Sequence, residues 1–263
     1  MELKTIDFTV SDGVATVTLN RPDAANALDL RMSQDLLAVA SHCDANRAIR
    51  AVIFTGRGKM FSAGGDVMSF AAAGEGVSEM MRNMTAFLHS AIARFLRMNA
   101  PLITAVNGTA AGAGLSMALM GDVILAASSA KFTMAYTRIG VTPDGSSTFT
   151  LPRLVGMARA KEMILLNPVY TADEAAAKGL VTAVVPDDQL MARAQEIAAQ
   201  LANGPTLAYG EAKRLLADSF SNSLETQMEL ETRAISGLAA HTRDAREGFT
   251  AFSEKRKPVF EGR

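Results

Sequence analysis

At 263 residues the chain can bury a large core, as one generous domain or as one domain with an appendage. Its 26 basic and 27 acidic residues are interspersed and leave a formal charge of −1, which excludes a basic stripe for nucleic acid and a polybasic membrane patch. A single cysteine, Cys43, excludes an intramolecular disulfide framework and suits a reducing compartment; no third ligand accompanies it and His42 at metal-site spacing, so no metal is expected.

The opening Met1-Glu2-Leu3-Lys4-Thr5 lacks the apolar core of a secretory signal, and a cytoplasmic location is expected. Ile6, Phe8 and Val10 alternate with polar neighbours, and Ser11-Asp12-Gly13 turns the chain into Val14–Leu19, a hairpin pattern. Asn20-Arg21-Pro22-Asp23 breaks the strand. Asp29 is placed to cap a helix to about Asp44, with Met32, Leu36, Leu37, Val39 and Ala40 inward. A strand over Ala51–Phe54 follows. Residues 67–79 carry no clear pattern, and Met80–Met98 reads as a long helix with Met84, Phe87, Leu88, Ile92 and Phe95 on one stripe.

Residues 100–121 hold no charge, so a membrane span is considered; Asn107, four glycines and three hydroxyl residues make the stretch too polar and broken for lipid. It reads as a buried strand (Leu102–Val106), a turn and a helix (Leu115–Met120). Strands at Val123–Ala127 and Lys131–Met134 come next, then helices at Leu151–Val155 and Arg159–Leu166, and a capping box at Thr171-Ala172-Asp173-Glu174. A last strand, Val181–Val185, precedes a helix from Asp187 to Ala202. Such alternation predicts an α/β fold with right-handed crossovers. A boundary is placed at Gly204, giving a core domain over 1–203 and a helical segment over 204–263, broken near Phe220 and Ala240. Its apolar Leu215, Leu216, Leu224, Met228 and Leu238 have no evident core of their own, which predicts packing on another subunit.

Two glycine-rich turns stand out, Phe61-Ser62-Ala63-Gly64-Gly65-Asp66 and Asn107-Gly108-Thr109-Ala110-Ala111-Gly112-Ala113-Gly114, each after a strand. Small residues there let a ligand reach the backbone, and two N–H groups converging on one oxygen make an oxyanion hole. Rival patterns fail on particular residues. Gly112-Ala113-Gly114 lacks the third glycine of a dinucleotide fingerprint, since Met117 takes its place. Gly114-Leu115-Ser116-Met117-Ala118 is one residue short of a nucleophile elbow, and only His241 lies downstream to serve it. Gly58-Lys59 lacks the upstream glycine of a phosphate loop, because Ile53 stands there.

The run from Arg21-Pro22 through Asn26-Ala27-Leu28, the two turns, Gly121-Asp122, Glu247-Gly248-Phe249 and Ala251-Phe252-Ser253-Glu254-Lys255-Arg256 together resemble the crotonase (enoyl-CoA hydratase/isomerase) superfamily over essentially the whole chain. The resemblance implies a spiral of β-β-α units with a C-terminal helical oligomerisation segment, a homotrimer or homohexamer, an acyl-CoA thioester substrate, and no cofactor beyond the CoA that the substrate carries. It assigns the oxyanion-hole N–H groups to Gly65 and Ala113, the latter where the family usually has glycine and at the start of a helix whose dipole favours negative charge. Backbone groups of Ala24, Ala25 and Ala63 match positions that hold the CoA arm, and Asp66 and Tyr136 join them as substrate contacts. Phe252 and Lys255 match positions that meet the adenine and phosphates, often from a neighbouring subunit. Asp23 stands where some members carry a basic residue.

The two glutamates of the hydratases are replaced by Ser116 and Tyr136, and a tyrosine is a poor base at neutral pH. A carboxylate occurs nearby in Gly140-Val141-Thr142-Pro143-Asp144-Gly145. Pro-Asp-Gly is a common turn by itself, but family members that move a double bond carry their acid/base at this Asp or Glu. The expected activity is therefore acyl-CoA isomerisation, with Asp144 moving the proton and Gly65 and Ala113 stabilising a thioester enolate. Two alternatives stand beside it: a hydratase or CoA-thioester hydrolase using Asp144 and water, and a non-catalytic acyl-CoA-binding or RNA-associated assembly protein. Met68, Met80, Met81 and Met84 are candidates for an adaptable acyl pocket.

Overall fold

Local turn chemistry sets the first pair of strands. In the computed structural model, which describes all 263 residues, β1 (Ile6–Ser11) and β2 (Val14–Leu19) are antiparallel and joined at Asp12-Gly13. Both turn residues have positive φ, 49° and 77°, as a two-residue hairpin turn matched to strand twist requires. Helix α1 (Leu30–Ala45) begins as expected, with the Asp29 carboxylate accepting the Met32 N–H at 2.7 Å.

Three β-β-α units then wind through the core. The first is β3 (Ala51–Gly56), β4 (Met60–Ser62), α2 (Val67–Ala72) and α3 (Val77–Arg97). The second is β5 (Leu102–Val106), β6 (Thr109–Ala111) and α4 (Ala113–Ala118). The third is β7 (Val123–Ala127), β8 (Lys131–Thr133) and α5 (Ser147–Leu166), whose run is broken at Gly156. Each unit gives one strand to a six-stranded sheet ordered β1-β2-β3-β5-β7-β10 and one to a four-stranded sheet ordered β4-β6-β8-β9. The remaining strands are β9 (Tyr170–Thr171) and β10 (Ala183–Val185), on either side of α6 (Ala172–Ala177), which starts on the predicted capping box.

Every residue of β3 and β5 is buried, the signature of parallel strands covered on both faces. Helix α7 (Leu190–Ala202) packs across β2, β3, β5 and β7, while α1 and α3 pack on one another. Phe54, Phe61 and Phe95 are fully buried with ring centroids about 6 Å apart, tying β3, β4 and α3 together. No helix is long and apolar enough to cross a membrane.

The contiguous hydrophobic cluster ends at Ala202. Beyond it run α8 (Thr206–Asp218), α9 (Leu224–His241) and α10 (Arg243–Ser253). They are fastened mainly by polar contacts. Lys213 on α8 is nearly buried, pairs with Asp122 at 2.7 Å and donates to the Ala100 carbonyl at 3.2 Å. Arg50 donates to the Gly204 carbonyl and to Thr206 Oγ1. Leu215 and Leu238 are half-buried in the groove between α8 and α9, whereas Leu216, Leu224 and Met228 stay exposed.

Lys213 is nearly buried while Asp122 is partly exposed, so removing the lysine takes an anchor from α8 and leaves a partly shielded carboxylate without its countercharge. Lys213→Met should therefore lower stability by about 2–3 kcal/mol, read from the urea denaturation midpoint, and Asp122→Leu in the same chain should recover part of the loss. An unshifted midpoint in Lys213→Met would show that α8 is held by something other than this pair.

Candidate active site

The two glycine turns meet because the strands that launch them are neighbours. β4 and β6 are parallel and adjacent, so the chain leaves both at the same end of the small sheet. Gly64, at φ +98°, is where the turns touch: a Cβ there would lie 2.7 Å from the Ala111 carbonyl oxygen and 3.1 Å from the Ala113 nitrogen. A Cβ on Gly114 would fall 2.3 Å from the Ser62 carbonyl oxygen. Gly65 and Ala113 line one cavity, and neither N–H has an acceptor among the turn and loop hydrogen bonds of the chain. Ala113 is the first residue of α4, where N–H groups have no helical acceptor. Because α4 has only six residues, its contribution is this orphan N–H itself rather than the helix dipole expected from sequence.

A third segment holds the first turn in shape. Leu28 bridges it in parallel: the Leu28 N–H donates to the Gly64 carbonyl at 2.7 Å, and the Asp66 N–H to the Leu28 carbonyl at 2.9 Å. Ser62 Oγ donates to the Asn26 carbonyl at 2.9 Å. Asn26 is fully buried and bonds three ways, accepting the Arg21 N–H and donating to the Arg57 and Met60 carbonyls. In the sequence Asn26 stands only as part of a motif; a buried amide with every polar atom engaged marks it as the brace of this turn.

Asp66 is taken up by structure rather than by the cavity. It caps α2 by accepting the Ser69 N–H at 3.2 Å and pairs with Arg21 at 3.2 Å, and Arg21 also pairs with Asp29. Burial works to raise its carboxyl, but the Ser69 N–H and the Arg21 guanidinium outweigh that and hold it below the usual range.

The cavity has a volume of about 300 Å³ and is walled by apolar side chains such as Leu28, Phe70, Met81, Met84 and Val141. Asp144 is the sole carboxylate in that wall. Tyr136 Oη donates to Asp144 Oδ1 at 2.6 Å and lies 2.9 Å from Ser116 Oγ. Ser116 Oγ also lies 2.9 Å from the Asp144 carbonyl oxygen, to which Ser147 Oγ donates at 2.8 Å. His89 Nε2, on α3, lies 3.5 Å from Asp144 Oδ2 and accepts the Gly145 N–H at 3.3 Å. Burial first, and the Asp144 carboxylate second, push the Tyr136 phenol up, so it remains protonated and serves as a donor. Ser116 is fully buried with no histidine beside it, which removes the nucleophile-elbow reading.

Other expected residues are placed less directly. Ala63 lines the cavity. Ala24 and Ala25 sit in a short 3-10 turn, their N–H groups donating to Arg21 and Pro22 and their carbonyls accepting from Ala27 and Ala63. Phe252 and Lys255 are exposed at the end of α10 and do not line the cavity of their own chain. Of the four methionines, Met81 and Met84 reach the cavity, whereas Met68 is 80 % exposed and Met80 lies outside it. His89, absent from the sequence-based site, is recognisable only through the α3–loop contact. No group of three His, Cys, Asp or Glu side chains is placed to hold a metal.

Comparison with known proteins bears on this geometry. The sequence model of the family described as enoyl-CoA hydratase/isomerase matches residues 9–263. A probable enoyl-CoA hydratase of Rhodobacter capsulatus is 41% identical over 263 residues, covering 100% of both chains. The 1,2-epoxyphenylacetyl-CoA isomerase of Escherichia coli is 38% identical over 255 residues, covering 97% of each. The crystal structure of an enoyl-CoA hydratase from Bacillus anthracis superposes with a TM-score of 0.92 at 33% identity, covering 99% of this chain and 100% of that one. The fold is that of the crotonases, and the chain belongs to the enoyl-CoA hydratase/isomerase family.

Proposed function

We propose that the protein is an acyl-CoA isomerase that moves a double bond through a thioester enolate. The observation that carries this reading is Asp144, the single carboxylate in a cavity lined also by Gly65 and Ala113; the family resemblance adds that Ser116 and Tyr136 stand where hydratases have glutamates. The thioester oxygen accepts from both N–H groups. The C2–H bond breaks, its proton passes to the Asp144 carboxylate, and its electron pair spreads onto that oxygen. Return of the proton at C4 collapses the enolate to the 2-enoyl thioester. The reaction is redox-neutral and needs no cofactor beyond the CoA of the substrate. Similarity to a 1,2-epoxyphenylacetyl-CoA isomerase supports isomerisation and extends it to ring-bearing acyl groups.

A second reading rests on His89. An imidazole nitrogen 3.5 Å from Asp144 gives a pair able to deprotonate water, and the relative described as a probable hydratase fits that chemistry. Incubation with 3-enoyl-, 2-enoyl- and cyclic acyl-CoA substrates, followed by mass spectrometry, separates the readings. Isomerisation leaves the mass unchanged, hydration adds a water, hydrolysis releases CoA, and tight binding without turnover points to a non-catalytic protein.

The segment 204–263 is proposed to bury its exposed apolar side chains in a homotrimer or homohexamer, with Phe252 and Lys255 presented to a neighbour's CoA.

Asp144→Asn keeps the size and turn-forming ability of the side chain but cannot carry the proton. It should fold, keep its acyl-CoA affinity and lose isomerisation by roughly three orders of magnitude; a near-normal rate would remove Asp144 from the mechanism. Ala113→Pro deletes one oxyanion donor at the first position of a helix, where proline is tolerated. Turnover should drop on the order of a hundredfold or more while circular dichroism is preserved, and an unchanged rate would place the oxyanion hole elsewhere. Light scattering at micromolar concentration should give the mass of three or six chains; a monodisperse monomer would refute the assembly.

A further inference from the structure

The hydrogen bonds around Asp144 distinguish its two carboxylate oxygens. Ser116 Oγ, Tyr136 Oη, Asp144 Oδ1 and the Asp144 carbonyl oxygen make three contacts of 2.9, 2.6 and 2.9 Å. Two of these oxygens, the carbonyl and the ionised carboxylate, only accept, and the two hydroxyls supply one proton each. Were the Tyr136 proton turned toward Ser116, two oxygen lone pairs would face each other across the shortest contact, 2.6 Å. The Tyr136 proton therefore lies on Oδ1. Ser116, fully buried, then gives its one proton to the phenol oxygen and fixes it, while the Asp144 carbonyl accepts from Ser147 Oγ at 2.8 Å.

Oδ2 has no such donor. His89 Nε2 lies 3.5 Å from it, and in the neutral Nδ1–H tautomer that nitrogen accepts the Gly145 N–H instead. Tyr136 and His89 are the titratable groups that face Asp144, and the remaining cavity wall carries no charge. We propose that Tyr136 is a positioning residue: its hydroxyl, set by Ser116, occupies Asp144 Oδ1 and leaves Oδ2 as the oxygen that takes the C2 proton and returns it at C4. This rests on the isomerase reading and changes the part expected of Tyr136 and Ser116, from lining the cavity to aiming the base.

Tyr136→Phe keeps the ring and removes only the donor. Its kcat should fall roughly ten- to a hundredfold, the scale of one hydrogen bond to a charged group, with KM changed by less than about threefold. The acid limb of the pH–rate profile should move to higher pH, because a carboxylate that loses a donor holds its proton more tightly. The same displacement should appear in the carboxyl titration of Asp144, followed by ¹³C NMR with Asp144→Asn as the assignment control, whether or not substrate turns over. A wild-type kcat in Tyr136→Phe, or a pH profile and titration left in place, would overturn the proposal. If Asp144→Asn is inactive while Tyr136→Phe is unimpaired, positioning alone fails. If the wild type does not isomerise, the isomerase reading fails, and the ¹³C titration still decides whether Tyr136 holds Oδ1.

Discussion

The close contact of two backbone turns is the constraint on which the site depends. The Ser62–Gly64 stretch and the Ala111–Gly114 stretch approach so tightly that no side chain fits between them, and only parallel adjacency of β4 and β6 brings them together. Each strand is three residues long and could not hold its place alone. The larger sheet, with β3 and β5 fully buried, provides the rigid frame against which the small sheet is stacked. The spiral connection then has a chemical consequence: successive units deliver the same kind of turn to the same end of the small sheet, so Gly65 and Ala113 line one cavity.

Charge is arranged so that those N–H groups act without competition. Arg21 lies beside the first turn, but Asp29 and Asp66 engage its guanidinium. Within the cavity wall the side chains are apolar apart from Thr85, Thr142, Tyr136 and Asp144. Under the isomerase reading, a developing anion there would meet fixed backbone dipoles in a medium of low polarity, where such interactions are strongest. The single carboxylate is held through its side chain by Tyr136, and its loop is held at the Asp144 carbonyl by Ser147.

Much of the frame was legible in the sequence, and the failures share a cause. The hairpin, the Asp29 cap, the α3 stripe, the Thr171 capping box and the breaks around α8 and α9 are local patterns several residues long. β4, β6 and β9 were missed, since two or three residues beside glycine carry no alternation to read. α2 was invisible for a related reason: its six residues are too few to show a helical period, and its start is marked only by the Asp66 cap. Helix α3 accordingly begins at Val77, three residues before the predicted start. At the site, the turns and Asp144 were visible through motif and family resemblance. The bonds joining Tyr136, Ser116 and His89 to Asp144 link a loop to two helices and a 3-10 turn, and no spacing rule predicts them. Asp66 shows that an acidic residue ending a glycine turn has more than one use, since here it caps α2 and pairs with Arg21.

The cavity also constrains how an acyl-CoA would be held. At about 300 Å³ it has the size of an acyl-group site and is too small for a whole CoA thioester. Its wall contains no lysine or arginine, so it cannot neutralise the phosphates. Under the acyl-CoA reading, the nucleotide end must lie outside, on cationic groups that the chemistry at Asp144 does not use. Lys255 and Phe252, exposed and away from their own chain's cavity, have the charge and the aromatic face for that task. The α8–α10 segment leaves Leu216, Phe220, Leu224 and Ile235 uncovered, so the surface available for association lies on the same segment as these two residues. Assembly and nucleotide binding would then be coupled: association that covers the apolar side chains also sets where Lys255 and Phe252 stand.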